Sequence, residues 1–298
     1  MSEQEVAILR RLAATFSIEV TPRDWARHHQ VLRAVPAGTR VYITFLPAAS
    51  FADTLDVVRA ATERGLVPIP HLAARNLVDD AHADRVVGRL AAAGAREMLV
   101  IAGSLSRPAG TISESLQVLR SGVLQRHGIT RVGVAGHPEG SPDIDDATLV
   151  ETVRQKNAVA AETGLQLYLL TQFLFDPVPV IAWERRMRGL GNRLPVHVGL
   201  PGLASPVTLL KYGISCGIGP SLTVLRKQTG NVLTLATRTA YHPDETMLGV
   251  AQAMAADPAA LFAGVHFFPF GAVRKTVDWL GRLATGSFTL QGNEIVVR

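Results

Sequence analysis

The chain has 298 residues, 47% of them hydrophobic and only 18% charged, with a formal net charge of +5. That is enough apolar material for one large α/β barrel or two smaller domains, and too much for a disordered chain. No run of about 18 uncharged apolar residues occurs, and the start MSEQEVAILRRLAATF lacks the basic lead and apolar core of a secretory signal, so a soluble, cytoplasmic protein without a membrane partner is expected.

Other exclusions follow from single residue types. Cys216 is the only cysteine. It can form no internal disulfide or cysteine zinc site, and it reads as a small buried apolar residue. The basic residues are scattered. Even WERRMRGLGNR (183 to 193) reads as a solvated helix end running into a Gly-Asn turn, so no nucleic-acid partner is expected. A mild positive balance suits an anionic small molecule.

After a short helical lead, β-type runs alternate with helical patterns. The runs are FSIEVT (16 to 21), RVYITFL (40 to 46), LVPIPHLA (66 to 73), EMLVIAGS (97 to 104), RVGVAGHP (131 to 138), LYLLTQFLF (167 to 175), LPVHVGL (194 to 200) and GVHFFPF (264 to 270). Between them FADTLDVVRAATERG and DDATLVETVRQKNAVAAETG carry the i, i+3, i+4 spacing of helices, the second closing on Gly164 as a C-cap. Eight such units without a linker-like tract predict an α/β protein: a single (β/α)8 TIM barrel over residues 1 to 298. The stretch from 205 to 261 is too long for one helix and predicts extra helices between strands 7 and 8: ASPVTLLKYG, the region of GPSLTVLRKQTG, and DETMLGVAQAMAA. The end, about 287 to 298, carries a Gly-Asn pair between two alternating runs and is expected to be a hairpin or a tail.

In such a barrel the chemistry sits at the C-terminal strand ends. There the sequence offers Glu19 with Thr21, Thr44, His71, Ser104, His137 with Glu139, Gln172 with Asp176, and His266. Glu19 lies opposite Phe16, Ile18 and Val20 in a period-two run. A barrel strand has no water-facing edge, so this carboxyl is either paired with a cation or held in a pocket that raises its pKa. Met98, Phe173 and Phe175 read as barrel filling, and GISCGIGPS as a helix boundary without the order of a dinucleotide fingerprint. His71, His137 and His266 lie on different runs without metal-ligand spacing, so no metal is expected.

These strand ends, in this order, resemble the methylenetetrahydrofolate reductase family over most of the chain. FSIEVTPRD is similar to that family's FEFFPPR segment, VYITF to VTYG, PIPHLAARN to PHLTC, VIAGS to LRGD, AGHPEGSPD to YPEGHPE, LLTQFLFD to ITQFFFD, VHVGLPGL to IIPGIMP and VHFFPF to HFYTLN. The resemblance implies an oxidoreductase of one-carbon metabolism that reduces 5,10-methylenetetrahydrofolate to 5-methyltetrahydrofolate with NADH or NADPH, the hydride carried by FAD. It implies Glu19 as the acid that assists opening of the methylene bridge and Gln172 as the amide that bonds the pterin, with Ser104 and Phe268 beside the substrate. For the flavin it implies Thr44, His71, Ala102, Gly103, Ser104, His137 and Lys156.

At several of these positions the chain differs from the family pattern. Ala102 and Ser104 replace an arginine and an aspartate, His137 and Phe268 replace tyrosines, and Ser141 replaces a histidine. Lys156 stands about one helical turn before the family lysine. Two alternatives therefore stay open: a flavin-independent reductase with direct hydride transfer from NAD(P)H to the folate, and a folate- or flavin-binding protein without turnover. A homo-oligomer is compatible with either.

Overall fold

The computed structural model describes residues 1–44, 50–141, 144–215 and 240–298. Eight parallel strands close into a barrel: β1 (Ser17–Val20), β2 (Arg40–Ile43), β3 (Val67–Ala73), β4 (Glu97–Ile101), β5 (Arg131–Gly136), β6 (Gln166–Phe173), β7 (Val196–Pro201) and β8 (Phe262–Phe268). Each follows its neighbour in chain order, and β1 pairs with both β2 and β8, which removes every free edge.

Helices fill the connections. They are α1 (Glu3–Ala14), α2 (Pro22–Leu32), α3 (Phe51–Glu63), α4 (Asp80–Ala92), α5 (Ser115–Arg120), α6 (Val123–Arg126), α7 (Asp146–Thr163), α8 (Pro177–Gly189), α9 (Pro206–Ser215), α10 (Asp244–Ala256) and α11 (Val273–Thr285). Thr21, a strand-end candidate by sequence, is the N-cap of α2, where it forms a capping box with Asp24. Asp176 likewise caps α8, accepting the Val178 N–H at 2.8 Å. Gly164 ends α7 in the left-handed region at φ 70°, which only glycine adopts without strain. Between β7 and β8, α9 and α10 are the extra helices among the described residues; Cys216 and GPSLTVLRKQTG lie outside them. The segment WERRMRGLGNR is less solvated than its charge suggests: Glu184 is buried and accepts from Arg188, which also pairs with Asp257.

Two apolar layers follow from strand alternation. Ile18, Val41, Val100, Val132, Val198 and Phe267 point outward into the core shared with the helices. Met98 belongs there too, between inward-facing Glu97 and Leu99, so it does not fill the barrel. Phe173 and Phe175 pack with Tyr241 and Phe268 in a separate cluster. Inside, Tyr42, Ile69, Leu99, Tyr168 and Leu170 form the middle layer. An added Cβ at Gly133 would come 2.9 Å from both Leu99 and Tyr168, so this position must stay bare for the tyrosine to fit. The two phenol oxygens meet at 2.6 Å. Below them Glu97 bridges Arg40 at 3.2 Å and Arg131 at 3.4 Å, and the Arg131 guanidinium lies over the Tyr168 ring.

The chain ends in an antiparallel hairpin, β9 (Phe288–Gln291) with β10 (Glu294–Val297), at the Gly-Asn pair. Ile295 donates its N–H to Asp244 at the start of α10. Burial pushes the Asp244 carboxyl up to about 6, against 3.8 ordinarily, so the folded form resists ionisation. Its destabilising contribution is absent below the unfolded value, grows as pH rises, and is complete above about 6. Asp244→Asn keeps a carbonyl for Ile295 and is expected to stabilise the protein by about 1–2 kcal/mol at pH 7.5 but not at pH 3.5. Denaturant midpoints at the two pH values check this.

Candidate functional site

Three strands bring polar side chains to one point at the C-terminal mouth. Ser17 and Glu19, two residues apart on β1, share its inward face. The register sets Glu19 beside Tyr42 of β2 and Ser17 beside His266 of β8. Glu19 Oε2 lies 3.5 Å from His71 Nε2 and 3.9 Å from His266 Nε2. Tyr42 forms the floor, its ring centroid 4.4 Å from that of His266 and 6.2 Å from that of His71. His71 therefore faces a carboxylate, where a strand-end histidine could equally have been satisfied by a backbone carbonyl.

Behind His266 stands Ser17, its Oγ 3.0 Å from Nδ1 and 3.3 Å from the Val265 carbonyl oxygen. A serine hydroxyl has one hydrogen, so it donates to one of these at a time. Donation to Nδ1 leaves the imidazole hydrogen on Nε2, facing an ionised Glu19. Donation to Val265 lets Nδ1–H donate to Ser17 and turns a bare Nε2 toward Glu19, which suits a protonated carboxyl. The state of Ser17 is thus tied to the state of Glu19.

Burial opposes ionisation of Glu19, but contact with His266, the partial positive character of His71 and the Thr44 hydroxyl outweigh it and hold the carboxyl below its ordinary value. Neither alternative open in the sequence applies as stated: the pKa is not raised, and the groups that hold it down are two imidazoles and a hydroxyl instead of a fixed cation. Burial lowers both His71 and His266, which keeps them neutral near pH 7. Thr44 Oγ1, His71 Nε2 and His266 Nε2 are buried without a hydrogen bond of ordinary geometry, so three polar atoms around Glu19 have bonding capacity to offer a ligand.

The other candidates spread around the mouth. On β6, Thr171 faces away and accepts the Gly199 N–H at 2.8 Å, where the pairing with β7 shifts register. Gln172 lies within that irregularity, half-buried, its Oε1 accepting the Phe173 N–H at 3.2 Å. Phe268 stands edge-on to His266 at 4.6 Å and stacks with Phe270. Phe270 has φ 47°, a strained conformation for a bulky residue, and stacks on Tyr212.

The positions that the family resemblance gives to the flavin differ among themselves. Ala102, Gly103 and Ser104 follow the end of β4, Ser104 being exposed. Burial, with the Lys156 charge, pushes His137 down to about 4. Lys156 is buried on α7, pushed by burial to about 8, and its amine donates to the Ala135 carbonyl at 2.7 Å. None of these described residues offers an available cation to a pyrophosphate, so they do not fit FAD well. Of these positions, Thr44 and His71 hold buried polar atoms without a hydrogen-bond partner.

Sequence alone gives Ser17 no role and offers His266 only as one of the polar strand ends. The signal for Ser17 is its place two residues before Glu19, and for His266 the closure of β8 on β1. Among the described residues, no group of three or more His, Cys, Asp or Glu side chains is arranged to hold a metal ion, and no helix is long and apolar enough to cross a membrane.

No protein-family model matches the chain. Among solved structures, it is similar to a Burkholderia cenocepacia J2315 protein provisionally named a phosphonomutase, with 12% identity, TM-score 0.51, and 95% of this chain and 98% of that one covered. It is also similar to dihydropteroate synthase from Thermus thermophilus, solved with 6HMPPP, with 16% identity, TM-score 0.45, and coverage of 90% and 91%. At such identities the first likeness establishes the barrel fold and nothing about the reaction.

Proposed function

We propose that the protein reduces 5,10-methylenetetrahydrofolate to 5-methyltetrahydrofolate at the expense of NAD(P)H, with Glu19 as the proton donor. The observation that carries this reading is a largely buried carboxyl at the barrel mouth, flanked by His71 and His266 and backed by Ser17. The reaction consumes one proton and one hydride. The proton goes to the folate nitrogen N10 as its bond to the methylene carbon breaks, and the hydride adds to that carbon as the resulting iminium collapses. A folate seated over Glu19 excludes water from it and thereby pushes its pKa up from the depressed resting value. Rotation of the Ser17 hydroxyl toward Val265 favours the same protonated state.

Direct hydride transfer from the nicotinamide is the route we favour, because the flavin-phosphate positions lack an available cation. Hydride carried by FAD is the second reading, supported by the spare polar atoms of Thr44 and His71. The absorption spectrum of the purified protein, followed by NADH oxidation on adding methylenetetrahydrofolate, tests both. A colourless protein that oxidises NADH supports direct transfer, and a flavin band supports the second reading. Failure to turn over the folate with either nicotinamide, with or without added FAD, overturns the assignment.

Ser17→Ala separates proton handling from packing. It is expected to lower kcat/KM by about 3- to 10-fold and to displace the pH profile of turnover, since His266 loses the partner that selects its tautomer. A purely structural role for Ser17 would lower thermal stability and leave the profile in place.

A further inference from the structure

Between α3 and α4, beside the end of β3, lies a cavity of about 320 Å³ to which the steps derived above assign no role. Its floor is apolar: Phe51, Leu72, Leu77, Val86 and Leu90. Its polar groups are all neutral or basic, namely Thr54, His71, Asn76, His82, Arg85 and Arg89, and among the described residues no acidic side chain lines it. Arg85 and Arg89 stand one helical turn apart on α4, Arg89 lying over the Phe51 ring at 4.8 Å. His82 Nδ1 accepts the Val78 N–H at 3.2 Å, which puts its hydrogen on Nε2 as a donor.

A second, independent observation concerns Thr54. It is 2% exposed and its hydroxyl has no hydrogen-bond partner. A buried hydroxyl left in that state costs stability, which is tolerable where a ligand takes the bond. His71 links the two places, since the residue forms one wall of this cavity and its imidazole faces Glu19.

We propose that this cavity is a binding site for a nucleoside monophosphate group, its base on the apolar floor against Thr54 and Asn76 and its phosphate at Arg85 and Arg89. A flat apolar surface with donors and acceptors at its edge suits a heterocyclic base, and two guanidinium groups with no opposing carboxylate suit a phosphate. The volume lies near the lower end of the range for small-molecule sites, room for about one nucleotide and too little for a dinucleotide. The group has two sources. It is either the adenylate half of the nicotinamide donor, which rests on the function proposed above, or a free nucleotide acting as an effector.

Titration calorimetry with 5′-AMP tests the site without any reliance on turnover. The unmodified protein is expected to bind AMP, and Arg85→Ala and Thr54→Val each to weaken it by about tenfold, the worth of one such hydrogen bond. Arg85 is exposed, and Thr54→Val removes an unpartnered hydroxyl, so the melting temperature of both variants should be unchanged or higher. No binding at millimolar AMP, or equal affinity in all three proteins, overturns the proposal. The sources separate in steady-state kinetics. If the donor supplies the group, Arg85→Ala raises the KM for NADH and leaves that for reduced nicotinamide mononucleotide alone; if an effector does, neither KM moves while AMP binding still weakens. A protein that binds AMP as described yet reduces no folate keeps the site and refutes the proposed function.

Discussion

Glu19→Gln is expected to lower folate reduction by about 10²- to 10⁴-fold, the usual contribution of a general acid, while leaving ligand affinity near its original value. Glutamine keeps the shape and can still accept from His71 and His266, but it has no proton of useful acidity to deliver. The variant also gives up the contacts with His266, His71 and Thr44 that depress the Glu19 pKa. A carboxyl with a lowered folded-state pKa contributes stability that is present above the unfolded value and lost as pH falls through the folded one. The variant should therefore be somewhat less stable than the original protein at neutral pH, and the gap should close in acid. Single-turnover reduction of the folate, measured beside thermal unfolding over that pH range, separates the two effects. Near-normal turnover with only the stability difference would make Glu19 a structural residue.

Gln172→Ala is expected to raise the KM for the folate by about 10- to 100-fold, equivalent to the loss of hydrogen bonds in a dry site. The structure refines which bond matters. Oε1 already accepts the Phe173 N–H, so on the proposed function the amide NH2 is the group left to bond a pterin acceptor. Gln172→Glu, which keeps the acceptor and replaces that donor by a carboxylate oxygen, should be nearly as damaging. Oxidation of NADH by an artificial acceptor should hardly change, since that reaction presents no pterin. An equal loss in both assays, or a loss of stability alone, would return Gln172 to the barrel wall.

Much of the scaffold is legible in the sequence because period two and period 3.6 alternate cleanly along the chain. The strand boundaries differ from the apolar runs by a few residues: the fourth run ends as a strand at Ile101, its last residues turning into a loop, and the eighth begins earlier at Phe262. Met98 takes the face opposite to the expected one because an apolar run buried on both sides hides its phase; the charged Glu97 at the start of β4 is the better guide, and it points inward. Glu19 stands out locally, as a carboxyl inside an apolar run. Its environment does not. Ser17 and His266 are separated by 249 positions and meet only because the barrel closes. The depressed pKa of Glu19 depends on that closure and on the third strand, and no local pattern encodes it.

The tyrosine pair and the Glu97 bridge beneath it have a bearing on traffic. Tyr42 and Tyr168 are almost completely buried, with Ile69 and Leu99 beside them, so the lumen is stoppered a single layer below Glu19. The barrel is a cup and not a tube. On the proposed function, reactants that meet over Glu19 enter and leave by the same rim, and neither can pass beneath the other. Whichever is seated deeper must arrive first and depart last, so the order of binding and release is imposed by the shape of the vessel, independently of how tightly either reactant is held.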